Sequence, residues 1–553
     1  MKERWIAGID YGSDSVRVIL VEGERGEKRA EGVARYARWS QGMYCNPETA
    51  QYRQHPRDYL EALETAMQQA LQMAGEGAGE KVVALAIDTT GSTPCPVDAA
   101  GVPLAMTEGL EDEPDAMFHL WKDHTAAREA EEINRVFSQG EVDYTRYQGI
   151  YSAEWFWAKI LHTTRKNPRI REKAHTWMEH CDWIAGLLAG NTTPETIHHS
   201  ACAAGHKALW HSSFQGLPSR ECLASMDEYL GKVYDRYGCA PDPAGTCIGM
   251  VTPEWAKRLG LNIGVTIGMG SFDAHAGGVG AGVKKRTMVK VIGTSTVDLL
   301  VEESERLEGK ELKAYCGQAE DSIVPGYVGI EAGQAAFGDI FAWFERLLLW
   351  PLDAAGIPES ILDDATKTAL TQYYRAHLLQ KLEEGAMQHV EDGETALDWF
   401  NGRRYPVLND TIKAAVTGLS LGTTAPALYC ALVKAAVFGS RAIYDQLRNN
   451  GIEVDQMIAV GGIAKKSKLI MQMLADVMNL PIMVCEEEQV CAKGAAMYAA
   501  VAAQLYPSIE AAQKAYCEPY RASYQPQAEK QPMYEKMYQK YLRLGEEIEI
   551  ISE

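Results

Sequence analysis

The chain has 553 residues, of which 46% are hydrophobic and 23% charged, and its formal net charge is −21. This length exceeds that of one ordinary domain, and the composition excludes collagen-like and disordered proteins. So negative a charge argues against a nucleic-acid-binding protein, which normally presents a basic face. An anionic substrate stays open, because a metal ion or local Lys and Arg side chains can reverse the field.

Cysteine usage and the N-terminus indicate the cellular compartment. The twelve cysteines contain no C-x-x-C pair, which favours free, buried thiols in a reducing environment. The first residues lead directly into an apolar run without a signal-peptide pattern, and no uninterrupted apolar stretch is long enough to span a bilayer. We therefore expect a soluble cytoplasmic protein without a membrane partner.

The first predicted element is a β-hairpin over residues 5–20. Two apolar runs flank a turn that begins with Gly12 and consists of small polar residues. Backbone N–H groups and short hydroxyls at such a tip suit phosphate oxygens. Asp10 stands two residues before the turn, and a carboxylate near phosphates commonly accompanies a Mg²⁺ ion.

Helical and strand-like patterns alternate over the following residues, which predicts α/β layers. A helix is predicted over 57–73 and a buried strand over 82–87, which runs into the polar loop 88–94. Ligands of open α/β sheets bind at such carboxyl ends of strands. The dense aromatic residues between 116 and 187 are interpreted as core, with a minority able to line a sugar face.

The second half repeats the hairpin pattern. Glycines are dense over 264–282, which predicts a hinge at a domain junction. A hairpin over 288–300 then carries the turn Gly293-Thr294-Ser295, with Val291 in the place that Asp10 holds in the first copy. The two tips could grip one polyphosphate between two lobes; two ordinary hairpins with polar turns are the simpler alternative.

A strand over 457–460 leads into Gly461-Gly462, and a helix is predicted over 469–480. This turn suits close approach of a flat ligand such as adenine, and a purely structural strand-to-helix turn is equally compatible. From Tyr506 onward we expect a peripheral helix without catalytic residues. The P-loop, G-x-G-x-x-G, H-E-x-x-H, zinc and G-x-S-x-G motifs are absent, which leaves carboxylates and the hairpins to carry the chemistry.

These features together resemble the actin-like ATPase superfamily, and nearly the whole chain is similar to the FGGY carbohydrate kinases, most closely to their ribulokinase branch. The runs that carry the resemblance are 10–17 (DYGSDSVR), 88–94 (DTTGSTP), 120–125 (LWKDHT), 154–159 (EWFWAK), 204–211 (AGHKALWH), 292–296 (IGTST), 397–404 (LDWFNGRR) and 418–422 (GLSLG).

The resemblance implies an α/β, two-lobed actin-like ATPase (ribonuclease H-like) fold, with a central cleft between duplicated α/β domains. Residues 1–266 would form the N-terminal lobe with the sugar site and first phosphate hairpin. Residues 267–505 would form the C-terminal lobe with the second hairpin and the adenosine site, and 506–553 a peripheral helical tail. The implied reaction is phosphorylation of L-ribulose at its 5-hydroxyl by MgATP, in L-arabinose catabolism, with closure of the lobes on both substrates.

The resemblance also implies roles for two carboxylates, one catalytic and one for the metal ion. Asp273 matches the family's general base, and its simpler role is that of a helix N-cap; both can hold together. Asp10 would orient Mg²⁺ through water, and its simpler role is a turn hydrogen bond to Gly12 or Ser13.

The remaining implied site residues contact ATP or the sugar. Those for ATP are Gly12, Ser13, Asp14, Ser15, Gly293, Thr294, Ser295, Gly461, Gly462 and Ser467. Those for the sugar are Ser92, Thr93, Cys95, Lys207 and Glu331, beside Asp273. Only the backbone of Asp14 is assigned to a phosphate contact, since its carboxylate would repel phosphate. The direction of the Arg17 side chain stays open. Surface charge or helix-end roles are the alternatives for Lys207 and Glu331.

Two other functions compete with this one. One is a kinase of the same family acting on xylulose or ribitol, which the sugar-contacting residues would discriminate. The other is a non-catalytic, actin-like nucleotide switch, which needs no sugar loop. A homodimer is compatible with the family, and no nucleic-acid partner is expected.

Overall fold

The computed structural model describes residues 3–310, 312, 317–354, 358–391, 393–404, 407–409, 411–517 and 520–552. The chain forms two compact units. The first comprises Met1–Lys285, Leu299–Glu331 and Glu487–Glu518, and the second comprises Arg286–Asp298, Ala332–Glu486 and Pro519–Glu553. Both units are therefore built from separate stretches of chain, unlike the continuous ranges expected from the sequence.

The strands of the described chain, in order, are β1 Trp5–Tyr11, β2 Ser15–Glu22, β3 Lys28–Arg35, β4 Cys45–Asn46, β5 Gln51–Gln54, β6 Val82–Thr89, β7 Pro94–Val97, β8 Phe118–His119, β9 Thr176–Glu179, β10 Cys247–Met250, β11 Thr266–Phe272, β12 Thr287–Ile292, β13 Thr296–Glu302, β14 Gln318–Glu320, β15 Val328–Ala332, β16 Thr395–Ala396, β17 Val416–Thr417, β18 Gln456–Val460, β19 Ile482–Val484 and β20 Ala522–Tyr524.

The α-helices are α1 Pro56–Ala74, α2 Ala127–Gln139, α3 Phe156–Lys166, α4 Pro168–Lys173, α5 His180–Ala189, α6 Ala201–Ala208, α7 Arg220–Met226, α8 Glu228–Asp235, α9 Pro253–Leu259, α10 Asp273–Ala281, α11 Ser304–Leu307, α12 Gly338–Ala354, α13 Asp364–Ala386, α14 Ala425–Asn449, α15 Gly462–Lys466, α16 Lys468–Met478, α17 Val490–Ala502, α18 Ile509–Tyr516 and α19 Gln531–Ser552. Single 3-10 turns cover Trp39–Gln41, Pro47–Thr49, Ala78–Glu80, Leu104–Met106, Pro114–Ala116, Ser212–Phe214 and Ala528–Lys530.

The main sheet of the first unit has the strand order β10-β11-β6-β1-β2-β3. β1, β2 and β3 form an antiparallel meander, whereas β6 and β11 continue the sheet parallel to β1. The predicted first hairpin is confirmed by the β1–β2 pairing. The predicted helix over 57–73 and strand over 82–87 are confirmed by α1 and β6, because both had clear local periodicity.

A seven-stranded sheet repeats this arrangement. Its strand order is β14-β15-β13-β12-β18-β19-β20, so β12 lies between its hairpin partner β13 and the parallel strand β18. β1 lies in the same way between β2 and β6. The hairpin pattern that the sequence repeats therefore corresponds to two α/β sheets with the same local topology. The predicted strand over 457–460 and helix over 469–480 are confirmed by β18 and α16.

The aromatic segment is mostly core, as expected from its density. Trp157, Trp177 and Trp183 are fully buried, and they contribute to two apolar clusters of the first unit. Trp121 and Tyr147 are only half-buried. Burial of rings of this size removes a large apolar area from water and stabilises the unit.

The glycine-rich stretch 264–282 lies mostly in β11 and α10 of the first unit, just before the boundary between the units at Lys285 and Arg286. Its glycines allow close helix packing. A Cβ atom on Gly280 would lie 2.0 Å from the carbonyl oxygen of Val490, and one on Gly494 would lie 1.8 Å from that of Ala276. Both contacts join α10 to α17. The predicted role of this stretch as a hinge stays a prediction, because glycine density alone does not separate a turn from a close helix contact.

The C-terminal residues form more than a peripheral helix. β20 pairs with β19 and adds a strand to the second sheet. The Tyr541 hydroxyl on α19 donates to the buried Asp398, 2.7 Å away, and the Tyr516 hydroxyl on α18 donates to Gly23 O. The tail is therefore divided between both units and contributes to each of them.

One helix in the described part of the chain, α14, is long and apolar enough to cross a membrane, contrary to the expectation that none would be. Its most apolar window is 83% buried inside the protein, as in the core helix of a globular unit. The cysteines of the described residues are all free, as predicted. Cys95, Cys181, Cys202, Cys430 and Cys485 are buried, whereas Cys239 and Cys247 are exposed.

Candidate functional site

Three carboxylates of the first unit lie at the carboxyl ends of its parallel strands. Asp10 on β1 is the register partner of Asp88 on β6, and Asp88 is the partner of Ser271 on β11. Asp273 follows β11 directly as the first residue of α10. The carboxyl edge of a parallel sheet is the usual place for a ligand in α/β proteins.

Asp10 forms an ion pair with Arg17. The two residues are register partners in the first hairpin, and Arg17 Nη1 lies 3.0 Å from Asp10 Oδ2. The side chain of Arg17, whose direction the sequence left open, therefore points toward the carboxylate of Asp10. Burial raises the pKa of Asp10, and the charge of Arg17 acts in the opposite direction. The simpler role predicted for Asp10, a hydrogen bond within its own turn, is not among the contacts of the described residues.

Asp88 is the carboxylate that sequence reasoning did not assign. It is fully buried, and its only side-chain hydrogen-bond partner among the described residues is the neighbouring carboxyl group of Asp10. Burial, followed by the charges of Asp10 and Asp273, raises its pKa well above the ordinary value. The raised pKa values indicate that these carboxyl groups cannot all ionise beside the single cation Arg17, and a bound divalent cation would favour their ionised forms.

Asp273 is a half-buried carboxylate in the first turn of α10. Its Oδ1 accepts a hydrogen bond from Ala274 N at 2.7 Å, while Phe272 occupies the N-cap position. Asp273 therefore contacts the free N–H groups of a helix end without being the cap itself. Burial, and then the carboxylate of Asp10, raises its pKa to about 7. A carboxyl group with a pKa near neutrality suits proton abstraction at physiological pH.

A charged pair lies next to Asp273 in the chain and in space. His275 Nε2 lies 3.2 Å from Glu331 Oε2, and the other ring nitrogen faces Cys202 Sγ at 3.4 Å. Burial alone would lower the pKa of His275, but its contacts with Cys202 and Glu331 raise it to about 10. Although burial opposes it, the charges of Lys207 and His275 hold the pKa of Glu331 well below its usual range. The structure thus brings Lys207 and Glu331, predicted separately, into one electrostatic network.

His206, His275 and Glu331 have ligand atoms within 4.8 Å of one another, a spacing that a metal ion could use. The charges nearby argue against a cation there. The charge of Lys207 already acts on Glu331, and the raised pKa of His275 favours a protonated ring over one with a free lone pair.

The tip of the first hairpin is held by side chains from outside it. Gly12 N donates to Ser15 O, and Trp121 Nε1 donates to Ser13 Oγ at 2.9 Å. Asp14 Oδ1 accepts from the Ser15 hydroxyl at 2.8 Å. The carboxylate of Asp14 is therefore engaged within the turn, which agrees with assigning only its backbone to a phosphate contact.

The predicted sugar loop is enclosed. Ser92, Thr93 and Cys95 are fully buried, and the Cys95 thiol contacts Pro96 O and Ala116 O within the core. Gly91 is half-buried. A direct contact between a sugar and Ser92, Thr93 or Cys95 requires a change from this arrangement.

In the second unit, the predicted phosphate and adenosine residues lie at one edge of the sheet. β12 and β18 are parallel, with Val291 opposite Val460, so Gly293 and Gly461 follow the two strands side by side. Gly461 has φ 112°, and a Cβ atom there would lie 2.3 Å from Ile292 O, so this position requires glycine. Gly293, Thr294 and Gly462 are exposed, as residues that contact a ligand must be.

Two structural contacts at this edge were not predicted. Thr294 O accepts from Phe337 N and Asp339 N, at 2.8 and 3.1 Å, which places the N-terminus of α12 against the hairpin tip. Ser467 Oγ accepts from Ile470 N at 3.1 Å and caps α16. The hydroxyl of Ser467 therefore has a structural role, and its contact with adenosine stays a prediction.

Comparison with known proteins gives a consistent result over the whole chain. A model of the FGGY family of carbohydrate kinases, C-terminal domain, matches residues 288–503. The ribulokinase of Vibrio parahaemolyticus is 41% identical over 556 residues, which cover 100% of this chain and 97% of that protein. The ribulokinase of Shouchella clausii is 36% identical and covers 98% of this chain and 95% of its own.

Solved structures agree on the fold. The xylulose kinase of Rhodospirillum rubrum matches with a TM-score of 0.77 at 18% identity, covering 99% of this chain and 100% of that one. The glycerol kinase of Plasmodium falciparum, solved with ADP, matches with a TM-score of 0.73 at 15% identity and covers 98% of both chains. These matches confirm the predicted two-lobed, actin-like α/β fold.

Proposed function

Because the chain belongs to the FGGY family of carbohydrate kinases, and within it to the ribulokinases, we propose that it transfers the γ-phosphoryl group of ATP to the 5-hydroxyl of L-ribulose. The observation that carries the proposal is the full-length match to ribulokinases. The site supports it, because Asp273, Lys207 and Glu331 provide a base and charged hydrogen-bonding groups beside one another.

Asp273 is the general base of the proposed reaction. It accepts the proton of the 5-hydroxyl as the oxygen attacks the γ-phosphorus, and the bond from that phosphorus to the β,γ-bridging oxygen breaks. Phosphoryl transfer depends mainly on alignment and charge stabilisation, so the base adds a moderate part of the rate. The products are ADP and L-ribulose 5-phosphate.

Both hairpins are proposed to bind the phosphates of ATP through backbone N–H groups and hydroxyls. The first uses Gly12, Ser13, Asp14 and Ser15, and the second uses Gly293, Thr294 and Ser295. Gly461, Gly462 and Ser467 are proposed to hold the adenosine. Exposure of Gly293, Thr294 and Gly462 supports this assignment.

The carboxylates at the edge of the first sheet fit a divalent cation, because Mg²⁺ prefers oxygen ligands and the cluster lacks positive charge. Asp10 is proposed to orient Mg²⁺ through water, with Asp88 adjacent. When bound, Mg²⁺ would neutralise phosphate charge. Residues 1–266 are proposed to carry the sugar loop and the first phosphate hairpin, and residues 267–505 the second hairpin and the adenosine site.

Lys207 and Glu331 are proposed to bind hydroxyl or carbonyl groups of the sugar. Glu331→Gln should raise KM for L-ribulose roughly 10- to 100-fold, because a hydrogen bond to a charged group contributes about 1.5–3 kcal/mol. KM for ATP should change little. Glu320→Gln is the matched control, since Glu320 contacts the exposed Ser212. An unchanged KM for L-ribulose in Glu331→Gln would show that Glu331 does not bind the sugar.

The raised pKa of Asp273 predicts a pH dependence. The base acts only when deprotonated, so kcat/KM for the sugar should fall as the pH decreases through about 7. An aspartate with an ordinary pKa would keep its activity down to about pH 4. Initial rates at saturating ATP across this range test the assignment, and a flat profile above pH 5 or so would contradict it.

The experiment that tests the function is an ADP-release assay with the purified protein over a panel of pentuloses and pentitols. We expect the highest kcat/KM with L-ribulose. A clear preference for xylulose or ribitol would assign a different sugar, and ATP binding without sugar-dependent ADP release would favour a nucleotide switch.

Further assignments follow from the proposed reaction. A kinase of L-ribulose belongs to L-arabinose catabolism and acts in the cytoplasm, where ATP is available. A homodimer, and the absence of nucleic-acid and membrane partners, stay predictions from the sequence.

A further inference from the structure

Lys159 is a buried cation that the proposed reaction does not use. It lies on α3 and is fully buried. Its Nζ donates hydrogen bonds to three backbone carbonyls: Ser92 O at 2.8 Å, Leu120 O at 2.9 Å and His119 O at 3.1 Å. One of these three carbonyls belongs to the predicted sugar loop.

Glu179 holds the same loop from the other side. It ends β9, where it is the register partner of Pro94 on β7. Its carboxylate accepts from Thr93 N at 2.7 Å and from the Ser92 hydroxyl. Ser92 is therefore held at both its carbonyl and its hydroxyl, by groups of opposite charge.

These contacts are more than general packing. Burial lowers the pKa of Lys159 and raises that of Glu179, and each residue's charge offsets this effect on the other. A buried pair of this kind contributes little net stability compared with apolar residues of similar volume. What the pair does provide is fixed hydrogen-bond geometry, at two successive residues of one loop.

We propose that Lys159 and Glu179 are positioning residues for the sugar, which fix the backbone of Ser92 and Thr93 in the path that accepts it. The proposal rests on the proposed function, because it takes this loop as part of the sugar site. It predicts that loss of either contact weakens sugar binding and leaves nucleotide binding unchanged.

The variants Lys159→Met and Glu179→Gln test this in the full chain. Glu179→Gln keeps the shape of the side chain and one of its two acceptor oxygens. It therefore tests the proposal even if Lys159→Met does not fold. Asp182→Asn is the matched control: Asp182 is equally buried and accepts hydrogen bonds from Ser200 N and His199 Nδ1, neither of which belongs to the loop. Calorimetry gives the Kd for L-ribulose without turnover, and steady-state rates give KM for ATP.

The expected result is a Kd for L-ribulose about 10- to 100-fold higher in the folded variants, because small displacements of a positioning group have effects of this size. KM for ATP, and the sugar Kd of Asp182→Asn, should stay at the wild-type value. An unchanged sugar Kd in folded Glu179→Gln, or a parallel loss of ATP affinity, overturns the proposal. Wild-type protein that binds L-ribulose without phosphorylating it overturns the proposed function alone, and wild-type protein that binds no pentulose overturns both.

Discussion

Asp273→Asn is expected to lower kcat about 10²–10⁴-fold, because it removes the group that accepts the proton of the attacking hydroxyl. The amide has nearly the same size as the carboxylate and can still accept the hydrogen bond from Ala274 N. ATP affinity should therefore be kept. The measurement is the steady-state rate of ADP formation, together with calorimetric ATP binding.

Asp242→Asn is the control for this experiment, since Asp242 lies in the same unit and pairs with His198, 2.7 Å away, outside the proposed site. Its kcat should equal that of the wild type. Near-normal turnover in Asp273→Asn would show that another group accepts the proton. Asp88 and Glu331 would then be the next carboxylates to test.

Asp298→Ala is expected to destabilise the second unit by about 3–5 kcal/mol, since it leaves a buried lysine without its counter-ion. Lys290 and Asp298 are both buried, and Lys290 Nζ lies 2.9 Å from Asp298 Oδ1. The same Nζ contacts Thr296 and Gln334, at 3.3 and 3.2 Å. These residues flank the tip Gly293-Thr294-Ser295, so the loss should also weaken ATP binding.

Urea denaturation measures this change in the free energy of unfolding. Asp455→Ala is its control, because Asp455 pairs with Arg286 at the exposed surface of the same unit. That variant should unfold close to the wild-type midpoint. If Asp298→Ala unfolded at the same urea concentration as Asp455→Ala, the buried pair would not contribute to stability.

Local features of the fold could be predicted from the sequence, because they depend on neighbouring residues. The hairpins, α1 and β6 were found from periodicity and turn residues, which act over a few positions. The stretch 264–282 could not be interpreted in this way. Its glycines allow α10 to pack closely against α17, a helix more than 200 residues further along the chain.

The candidate site shows the same limit. Asp10 was predicted from the residues around it and Asp273 from the family resemblance, whereas Asp88 was not assigned to the site. Only the parallel register of β1, β6 and β11 brings these carboxylates to one edge, and this register joins distant segments. In the same way, the direction of Arg17 depends on its cross-strand partner.

The most direct measurement is identification of the product formed from ATP, MgCl₂ and L-ribulose labelled with ¹³C at carbon 5. We expect a phosphate ester whose ³¹P resonance couples to carbon 5, formed in step with ADP. An ester at another carbon, or ADP released without any sugar phosphate, would contradict the account.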